Sequence, residues 1–494
     1  MLGWEFPPHI SGGLGTACAG LTQALENEQV EIVFVVPKVH GDERAQKMTL
    51  ISASTIPIRQ KKSLGGYIEQ SSNLDAINRP YSKIRKGITA ASAASTRITI
   101  EVPSLLAPYH STDEVYEAGL RRWNYSLGPD HRTLPGDIRM LSRKKEAHQK
   151  IGYTTEPFQF SGAYGPRLLE EVDRYAETVS IIASTNFFDV VHAHDWMTFR
   201  AGIAAKKVSG KPLVVHVHST EIDRTGSIGN TTVFGIEKEG MMVADRVVAV
   251  SYWTKNVAVK HYNIHEEKID VVHNGINPKN TEALVPSSPP LGSQIITFLG
   301  RITHQKGPMY FVEAARKVAE KFPDAHFVVA GSGDQLPAMI ERIAQLRLST
   351  RFHFTGFLKG EEINHIWAVS AVYVMPSVSE PFGIAPLEAI QSGVPVILSK
   401  QAGVGEVMPH AIKVDFWDTD AFAEAICNIL RFKSLSNTLK TNGAEEIKKI
   451  TWDKAAKKLT TLYYELSNKP RYRQEFDPLL PGTPAKTPSS AAVL

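Results

Sequence analysis

The sequence has little cysteine and no long apolar run. Its two cysteines, Cys18 and Cys427, are too few for a disulfide framework and indicate a reduced, cytoplasmic setting. No apolar run reaches the roughly 18 residues of a membrane-spanning helix, and no basic segment followed by an apolar one marks a secretory signal. The net charge is only +4, so the composition does not indicate a nucleic-acid partner.

Short apolar, β-rich runs alternate with helix-length amphipathic stretches along most of the chain. Residues 189–194, 212–218, 325–331 and 394–399 are such runs, and residues 307–322 form one of the amphipathic stretches. Continuous apolar strands that alternate with helices are typical of parallel sheets covered on both faces. The sequence therefore predicts an α/β fold.

A length of 494 residues favours two or three domains. The segment ALVPSSPPLGSQ, residues 283–294, is rich in proline and serine and breaks any regular element. We predict a doubly wound sheet on each side of it. The predicted boundaries are a first domain at 1–283, a linker at 284–294, a second domain at 295–450, a C-terminal helix at 451–468 that can cross back to the first domain, and a disordered tail at 469–494.

Near the N-terminus, EFPPHISGGLG (residues 5–15) precedes a predicted helix. Gly12 and Gly13 would let the backbone approach a ligand at the helix N-terminus, although a plain tight turn needs the same residues. The spacing is not G-x-G-x-x-G, which disfavours a dehydrogenase. Only residues 1–4 come before this loop, so we expect that the chain begins inside its first strand, through a late assigned start or a true truncation.

Four histidines end two neighbouring strands, in HAHDW and HVHST. Residues two apart on a strand face the same way, and the carboxyl ends of parallel strands open onto the ligand crevice. Zinc binding, a place in the core and hydrogen bonding to a polar substrate are all open. The last fits His194 and His218, which are nearest the loops, and Asp195 could position substrate hydroxyls or a histidine. Neither spaced cysteines nor H-E-x-x-H accompany the histidines, which disfavours zinc.

Two cations follow the first strand of the second domain, in FLGRITHQKGP. Arg301 and Lys306 can neutralise a diphosphate at the crevice edge. The alternative is a solvated loop charge. Their position at a predicted strand end favours the functional interpretation.

Two glutamates flank a turn in PSVSEPFGIAPLEA, residues 376–389. Glu380 precedes the turn and Glu388 lies about one turn into the next helix, while the backbone N–H groups of Gly383 and Ile384 lie at the helix entry. A carboxylate can accept hydrogen bonds from both hydroxyls of a sugar diol. Two surface glutamates are the alternative, which accounts poorly for the spacing once the two cations are included.

An Asp-x-Asp pattern at residues 418–420 resembles a metal-binding motif of sugar transferases. It directly precedes a helical pattern, so helix capping is the better interpretation. We therefore assign no metal and no cofactor.

Together, these segments resemble the signatures of retaining glycosyltransferases of the glycogen synthase and sucrose synthase group, the group 1 glycosyl transferases. The segments are EFPPHISGGLG, HAHDW, HVHSTEIDR, VVHNGI, GRITHQKG and SEPFGIAPLEA, and they run from about residue 5 to residue 464. The resemblance implies the glycosyltransferase B fold, in which two Rossmann-like domains face each other across a cleft. It implies a metal-independent hexosyltransferase that moves a hexose, glucose above all, from a UDP- or ADP-sugar to a carbohydrate hydroxyl, with α-glucan extension as one form.

The resemblance also implies roles for individual residues. His218 would contact the donor hexose, Arg301 and Lys306 would bind the diphosphate, and Glu380 would lie near the transferred sugar. Through the resemblance Gly12, Gly13, Gly383, Ile384 and Glu388 are also donor-binding residues, the last of which would hold the ribose. We add His194 and Asp195 to the donor-binding set because of their place at a strand end. Two alternatives are a nucleotide-sugar epimerase, which shares this fold and donor site, and a non-catalytic nucleotide-sugar-binding protein. The sequence leaves the donor base, the acceptor and the oligomeric state open.

Overall fold

The computed structural model describes residues 1–9, 12–43, 48–68, 148–277 and 294–467. The predicted linker, apart from its last residue, and the predicted tail at 469–494 lie outside these residues, and so does RITIEV at 97–102, another apolar run that predicts a strand. The described residues form two parallel α/β sheets with helices packed against them. The two sheets and their helices are called the first lobe and the second lobe below.

The first-lobe sheet is parallel and has the strand order β2-β1-β5-β6-β7-β8, with residues 1–4 inserted between β1 and β5. Leu2 bridges to both Val35 and Ala193, and its N–H donates to the carbonyl of His192 at 2.8 Å. The strands are β1 Val33–Val36, β2 Thr49–Ser52, β5 Val191–His194, β6 Leu213–Val217, β7 Arg246–Ala249 and β8 Ile269–Val271. The helices are α1 Gly13–Asn27, α2 Leu168–Thr185, α3 Trp196–Ser209, α4 Glu221–Thr225, α5 Thr231–Val243 and α6 Tyr252–Tyr262.

An antiparallel pair of strands, which the sequence pattern did not predict, also belongs to this half of the chain. Strand β3 (Pro57–Ile68) pairs with β4 (His148–Pro157).

The second-lobe sheet has six parallel strands in the order β11-β10-β9-β12-β13-β14. The strand order reverses direction between β9 and β12, and in doubly wound sheets the crevice at such a point binds ligands. The strands are β9 Ile295–Leu299, β10 His326–Ala330, β11 Phe352–Gly356, β12 Val372–Met375, β13 Val396–Ser399 and β14 Ile412–Val414. The helices are α7 Pro308–Lys321, α8 Leu336–Gln345, α9 Glu361–Val369, α10 Ala385–Gln391, α11 Thr419–Arg431 and α12 Lys433–Ile447.

Each sheet is buried because its strands are apolar on both faces. In β9, Ile296 and Phe298 pack into one side of the second-lobe core with Phe327 of β10 and Phe311 of α7. The intervening Thr297 is also fully buried, and its hydroxyl lies 2.6 Å from that of Ser370. A polar side chain in such a core is stable only when it is hydrogen-bonded.

The last described helix, α13 (Trp452–Ser467), packs on α1 of the first lobe. Trp452 lies so close to Gly20 that a side chain at position 20 would collide with the indole ring. Leu459 and Leu21 share the same buried cluster. The chain therefore returns to the first lobe after it has built the second.

Polar contacts also join the lobes directly. The carboxylate of Glu406, in the second lobe, accepts hydrogen bonds from the first two N–H groups of α6, on Tyr252 at 2.9 Å and Trp253 at 2.8 Å. It also contacts Nε2 of His273 at 2.7 Å. A carboxylate at a helix N-terminus is favourably placed against the helix dipole.

The predicted α/β class with two Rossmann-like sheets is confirmed. Among the described residues, no helix combines the length and the apolar composition required to cross a bilayer.

Candidate active site

A cavity of about 1530 Å³ lies between the two lobes. It collects almost every residue that the sequence pointed to. From the first lobe it is lined by Gly12, Gly13, Asp195 and His218, and from the second by Arg301, Lys306, Glu380, Gly383, Ile384 and Glu388. Of the predicted site residues, only His194 does not line it.

The two cations come from the loop between β9 and α7. Arg301 donates a hydrogen bond from Nη2 to Oε1 of Gln305 at 3.3 Å. Lys306 ends a short 3-10 turn, after which Gly307 adopts a left-handed conformation with φ of +67° and Pro308 opens α7. The short turn and the start of α7 therefore determine the backbone conformation on both sides of Lys306.

Replacing Gly307 with alanine should displace this loop. The left-handed backbone costs a non-glycine residue about 1 to 2 kcal/mol, and a Cβ at this position would also collide with the carbonyl oxygen of Pro376. Gly393→Ala is a matched control, because Gly393 has φ of +75° but open space around a Cβ. We expect thermal unfolding to show a larger loss of stability for Gly307→Ala, and donor binding to fall in that variant alone. Equal losses of stability would contradict the predicted collision.

The two glutamates line the same wall of the cavity. Glu380 is 6% exposed and forms an ion pair with Lys306. Glu388 lies in the first turn of α10. Burial, reinforced by the charges of Glu380 and Glu388, raises the pKa of Tyr373 well above its usual value. The negative charges of both carboxylates therefore disfavour ionisation of the same buried side chain, Tyr373.

Asp195 is held in a strained conformation at the start of α3. Its φ is +65°, a value that is uncommon for residues other than glycine and clusters at functional sites. Its carboxylate accepts a hydrogen bond from the backbone N–H of Ser219 at 3.4 Å. Burial raises its pKa to about 6, against the opposing effect of the Arg224 charge.

This raised pKa predicts a pH-dependent effect of Asp195→Asn on stability. In the folded state the carboxyl group of Asp195 keeps its proton up to about pH 6, whereas the usual pKa of an aspartate side chain is 3.8. The contribution of Asp195 to stability therefore decreases as the pH rises from about 4 to 6. Asparagine lacks this penalty, so the Tm of the variant minus that of the wild type should increase between pH 4.5 and pH 7.5. A difference that is the same at both pH values would contradict the prediction.

The four histidines divide into one that lines the cavity and three behind it. His218 lines the cavity, and its Nε2 lies 3.1 Å from Nδ1 of His194. His194 is fully buried, so the structure places it behind the cavity wall rather than on it, in contrast to the donor contact that the sequence predicted. Burial lowers the pKa of His218 to about 3, so its ring is neutral at physiological pH.

His192, His194 and His216 bring ring nitrogens within 4.8 Å of one another, the distance range of a metal site. However, the rings of His192 and His216 are stacked, with only 8° between their planes, and the ring of His194 is tilted by 33° to that of His216. In parallel rings the nitrogen lone pairs point side by side instead of converging on one ion. His192 also contacts the hydroxyl of Tyr463 through Nδ1, at 2.5 Å. This arrangement is that of core histidines.

Sequence reasoning missed further polar residues that line the cavity, among them Glu5, Tyr164 and Arg224. Oε1 of Glu5 accepts a hydrogen bond from the N–H of Gly15 at 3.1 Å, within the glycine loop. Arg224 follows Glu221 by three residues in HVHSTEIDR, and the two side chains are in contact at 3.3 Å. Its shorter contact is with Glu237, at 2.5 Å. Glu237 lies in another helix, α5, and no spacing in the sequence pairs it with Arg224.

Asp418 does not line the cavity. Its carboxylate accepts a hydrogen bond from the N–H of Ala421 at 2.9 Å and caps α11. The capping interpretation of the Asp-x-Asp pattern is thereby confirmed.

Two protein-family models match the chain. Residues 142–280 match glycosyltransferase family 4, and residues 280–446 match glycosyl transferases group 1. An uncharacterized glycosyltransferase of Methanocaldococcus jannaschii is 31% identical over 300 residues, which cover 57% of this chain and 76% of the relative. The chain belongs to the group 1 glycosyltransferases.

Other members of this family, and proteins of the same fold, are also similar to this glycosyltransferase. An alpha-maltose-1-phosphate synthase of Mycolicibacterium smegmatis is 29% identical over 314 residues, 56% of this chain and 79% of the relative. A sucrose-phosphate synthase structure from Thermosynechococcus elongatus matches with a TM-score of 0.56 and 22% identity, over 64% of this chain and 83% of that one. The predicted family, the glycosyltransferase B fold and an enzyme of the hexosyltransferase class are confirmed.

Proposed function

We propose that this glycosyltransferase moves a hexose, glucose above all, from a UDP- or ADP-sugar to a hydroxyl of a carbohydrate acceptor, with retention of configuration. The observation that carries the proposal is the second-lobe wall of the cavity, which is lined by Arg301, Lys306, Glu380 and Glu388. Cations suit a diphosphate, and carboxylates suit the hydroxyls of ribose and hexose on either side of it.

The chemistry consists of breaking the bond between the anomeric carbon and the leaving phosphate oxygen. Negative charge grows on that oxygen, and fixed positive charge aimed at it is often the largest catalytic contribution. Arg301 and Lys306 would supply this charge, so we assign no metal to the donor site. The ion pair of Lys306 with Glu380 holds the ammonium group in place before the diphosphate binds.

We propose attack by the acceptor hydroxyl on the same face that the phosphate leaves. The departing phosphate oxygen would take the proton of that hydroxyl. We assign no carboxylate pair to a double displacement of the kind that retaining glycosidases use. Closure of the lobes would exclude water and suppress hydrolysis of the donor.

The acceptor would enter from the first lobe. Beside the donor-binding residues Asp195 and His218, its wall carries Glu221, and the charge of Arg224 is balanced by Glu221 and Glu237. An uncharged carbohydrate suits such a wall, and a relative named as a glycogen synthase, from Mycobacterium tuberculosis, supports an α-glucan product. An α-glucan oligosaccharide is therefore the first acceptor to test.

The experiment is a binding and turnover panel. UDP-glucose, ADP-glucose and UDP-N-acetylglucosamine are titrated calorimetrically, and each bound donor is then incubated with and without α-glucan oligosaccharides. Release of nucleoside diphosphate together with an extended α-linked oligosaccharide supports the proposal. An epimerised sugar nucleotide in the absence of acceptor would favour an epimerase, and binding without any product would favour a non-catalytic nucleotide-sugar-binding protein.

A further inference from the structure

The contact between His194 and His218 bears on which ring nitrogens of the two side chains carry protons. His218 faces the cavity on one side and presents Nε2 to Nδ1 of His194, 3.1 Å away, on the other. Nδ1 is then the nitrogen of His218 that remains for a ligand. The Nε2 atom of His194 is buried and has no hydrogen-bond partner within the described part of the chain.

Both rings are neutral, because burial lowers the pKa of each well below its usual value. A neutral imidazole carries one N–H, and either nitrogen can hold it. Between the two rings, one nitrogen must donate and the other must accept. The position of one proton on His194 therefore fixes the position of the proton on His218.

The surroundings of His194 decide between the two arrangements. A proton on Nε2 of His194 would leave a buried N–H without an acceptor, and such orphaned N–H groups are rare in folded proteins. A proton on Nδ1 instead donates to Nε2 of His218. His218 must then carry its own proton on Nδ1, toward the cavity.

The neighbouring rings hold this pair in place. His192 stacks on His194, and His216 stacks on His218, each with ring centroids 4.3 Å apart. Neither outer ring forms a hydrogen bond to the pair within the described residues. They restrict rotation of the two inner rings and leave the contact between Nδ1 and Nε2 as the one that selects the tautomer.

We propose that His194 is a positioning residue that holds His218 as the Nδ1–H tautomer, so that His218 offers a hydrogen-bond donor, and not a base, to the bound donor sugar. The inference rests on the proposed function for the identity of that ligand. It agrees with a reaction in which the leaving phosphate, and not a histidine, accepts the proton of the acceptor hydroxyl.

Nuclear magnetic resonance tests the tautomer directly. Long-range nitrogen–proton correlation spectra of the full chain, labelled with 15N-histidine, distinguish protonated from unprotonated ring nitrogens. A His218→Gln variant assigns the signals of His218. We expect Nδ1 of His218 to be protonated at pH 7.5, and protonation of Nε2 would overturn the proposal.

Kinetics test the positioning role. His194→Phe keeps a ring but loses the donor, so kcat for transfer should fall roughly tenfold, the worth of one hydrogen bond, with little change in the donor KM. His194→Asn places an amide near the position of Nδ1 and should restore most of kcat. His192→Phe is the matched control, a buried histidine of the same strand that does not contact His218 by a hydrogen bond. An unchanged kcat in His194→Phe would contradict the proposal.

The two proposals fail in different ways. If the wild-type protein transfers no hexose from any nucleotide sugar, the proposed function fails, and the spectra still report the tautomer of His218. If transfer proceeds but His218 carries its proton on Nε2, only the positioning role of His194 fails.

Discussion

Lys306→Ala is expected to lower kcat/KM for hexose transfer at least 100-fold, because it removes one fixed cation from the leaving phosphate in the transition state. Lys306 lines the cavity and its ammonium group is already held by Glu380. Initial rates at several donor concentrations measure the effect. Loss of an interaction made mainly in the transition state should appear in kcat as well as in kcat/KM.

Lys400→Ala provides the control for this substitution. Lys400 belongs to the same lobe and pairs with a carboxylate, that of Asp415, but does not line the cavity. It should retain normal turnover. Circular dichroism and thermal unfolding of both variants show whether the fold survives, since Lys306→Ala also leaves buried Glu380 without its partner. A folded Lys306→Ala variant with wild-type turnover would overturn the site assignment.

Glu388→Ala is expected to weaken donor use by about 10- to 100-fold in kcat/KM, the worth of hydrogen bonds to a charged group. The proposed partner is the ribose diol, so the test can be made specific with a donor that lacks the 2′-hydroxyl. The wild-type enzyme should discriminate against this analogue. The Glu388→Ala variant should use both donors equally well, because alanine cannot contact the 2′-hydroxyl. The effects of the substitution and of the 2′-deoxy donor on kcat/KM should therefore be non-additive.

Glu424→Ala, an exposed glutamate in helix α11 of the same lobe, is the matched control for this cycle. This variant should have the same kcat/KM as the wild-type enzyme with each of the two donors. Fully additive effects of Glu388→Ala and of the 2′-deoxy donor would show that Glu388 binds something other than that hydroxyl.

The second lobe was the easier half to predict from the sequence. Its central strands are buried on both faces, so β9, β10, β12 and β13 appear as predominantly apolar runs. Strand β11 was missed because it lies at the sheet edge and most of its residues are exposed. The antiparallel pair β3 and β4 was missed for a related reason, since its sequence is polar and lacks a continuous apolar run.

The site could be predicted where residues directly follow a strand. Arg301, Asp195 and Glu380 lie just past strand ends, and the topology of parallel sheets brings such positions to one edge. The position of a residue after a strand does not show how deeply its side chain is buried. His194 ends β5 and His218 directly follows β6, yet only the three-dimensional packing shows that one lies behind the other. The partnership of Arg224 with Glu237 likewise depends on how two helices meet.

The return of α13 to the first lobe has a consequence for the order in which the protein folds. Trp452 and Leu459 fill the same apolar cluster as Leu21 and Phe34, which lie more than 400 residues earlier in the chain. Domains of a growing chain usually fold one after another as the ribosome releases them. Here the first lobe cannot complete its interior until residues 452–467 have been synthesised, so its maturation has to wait until the second lobe has been made.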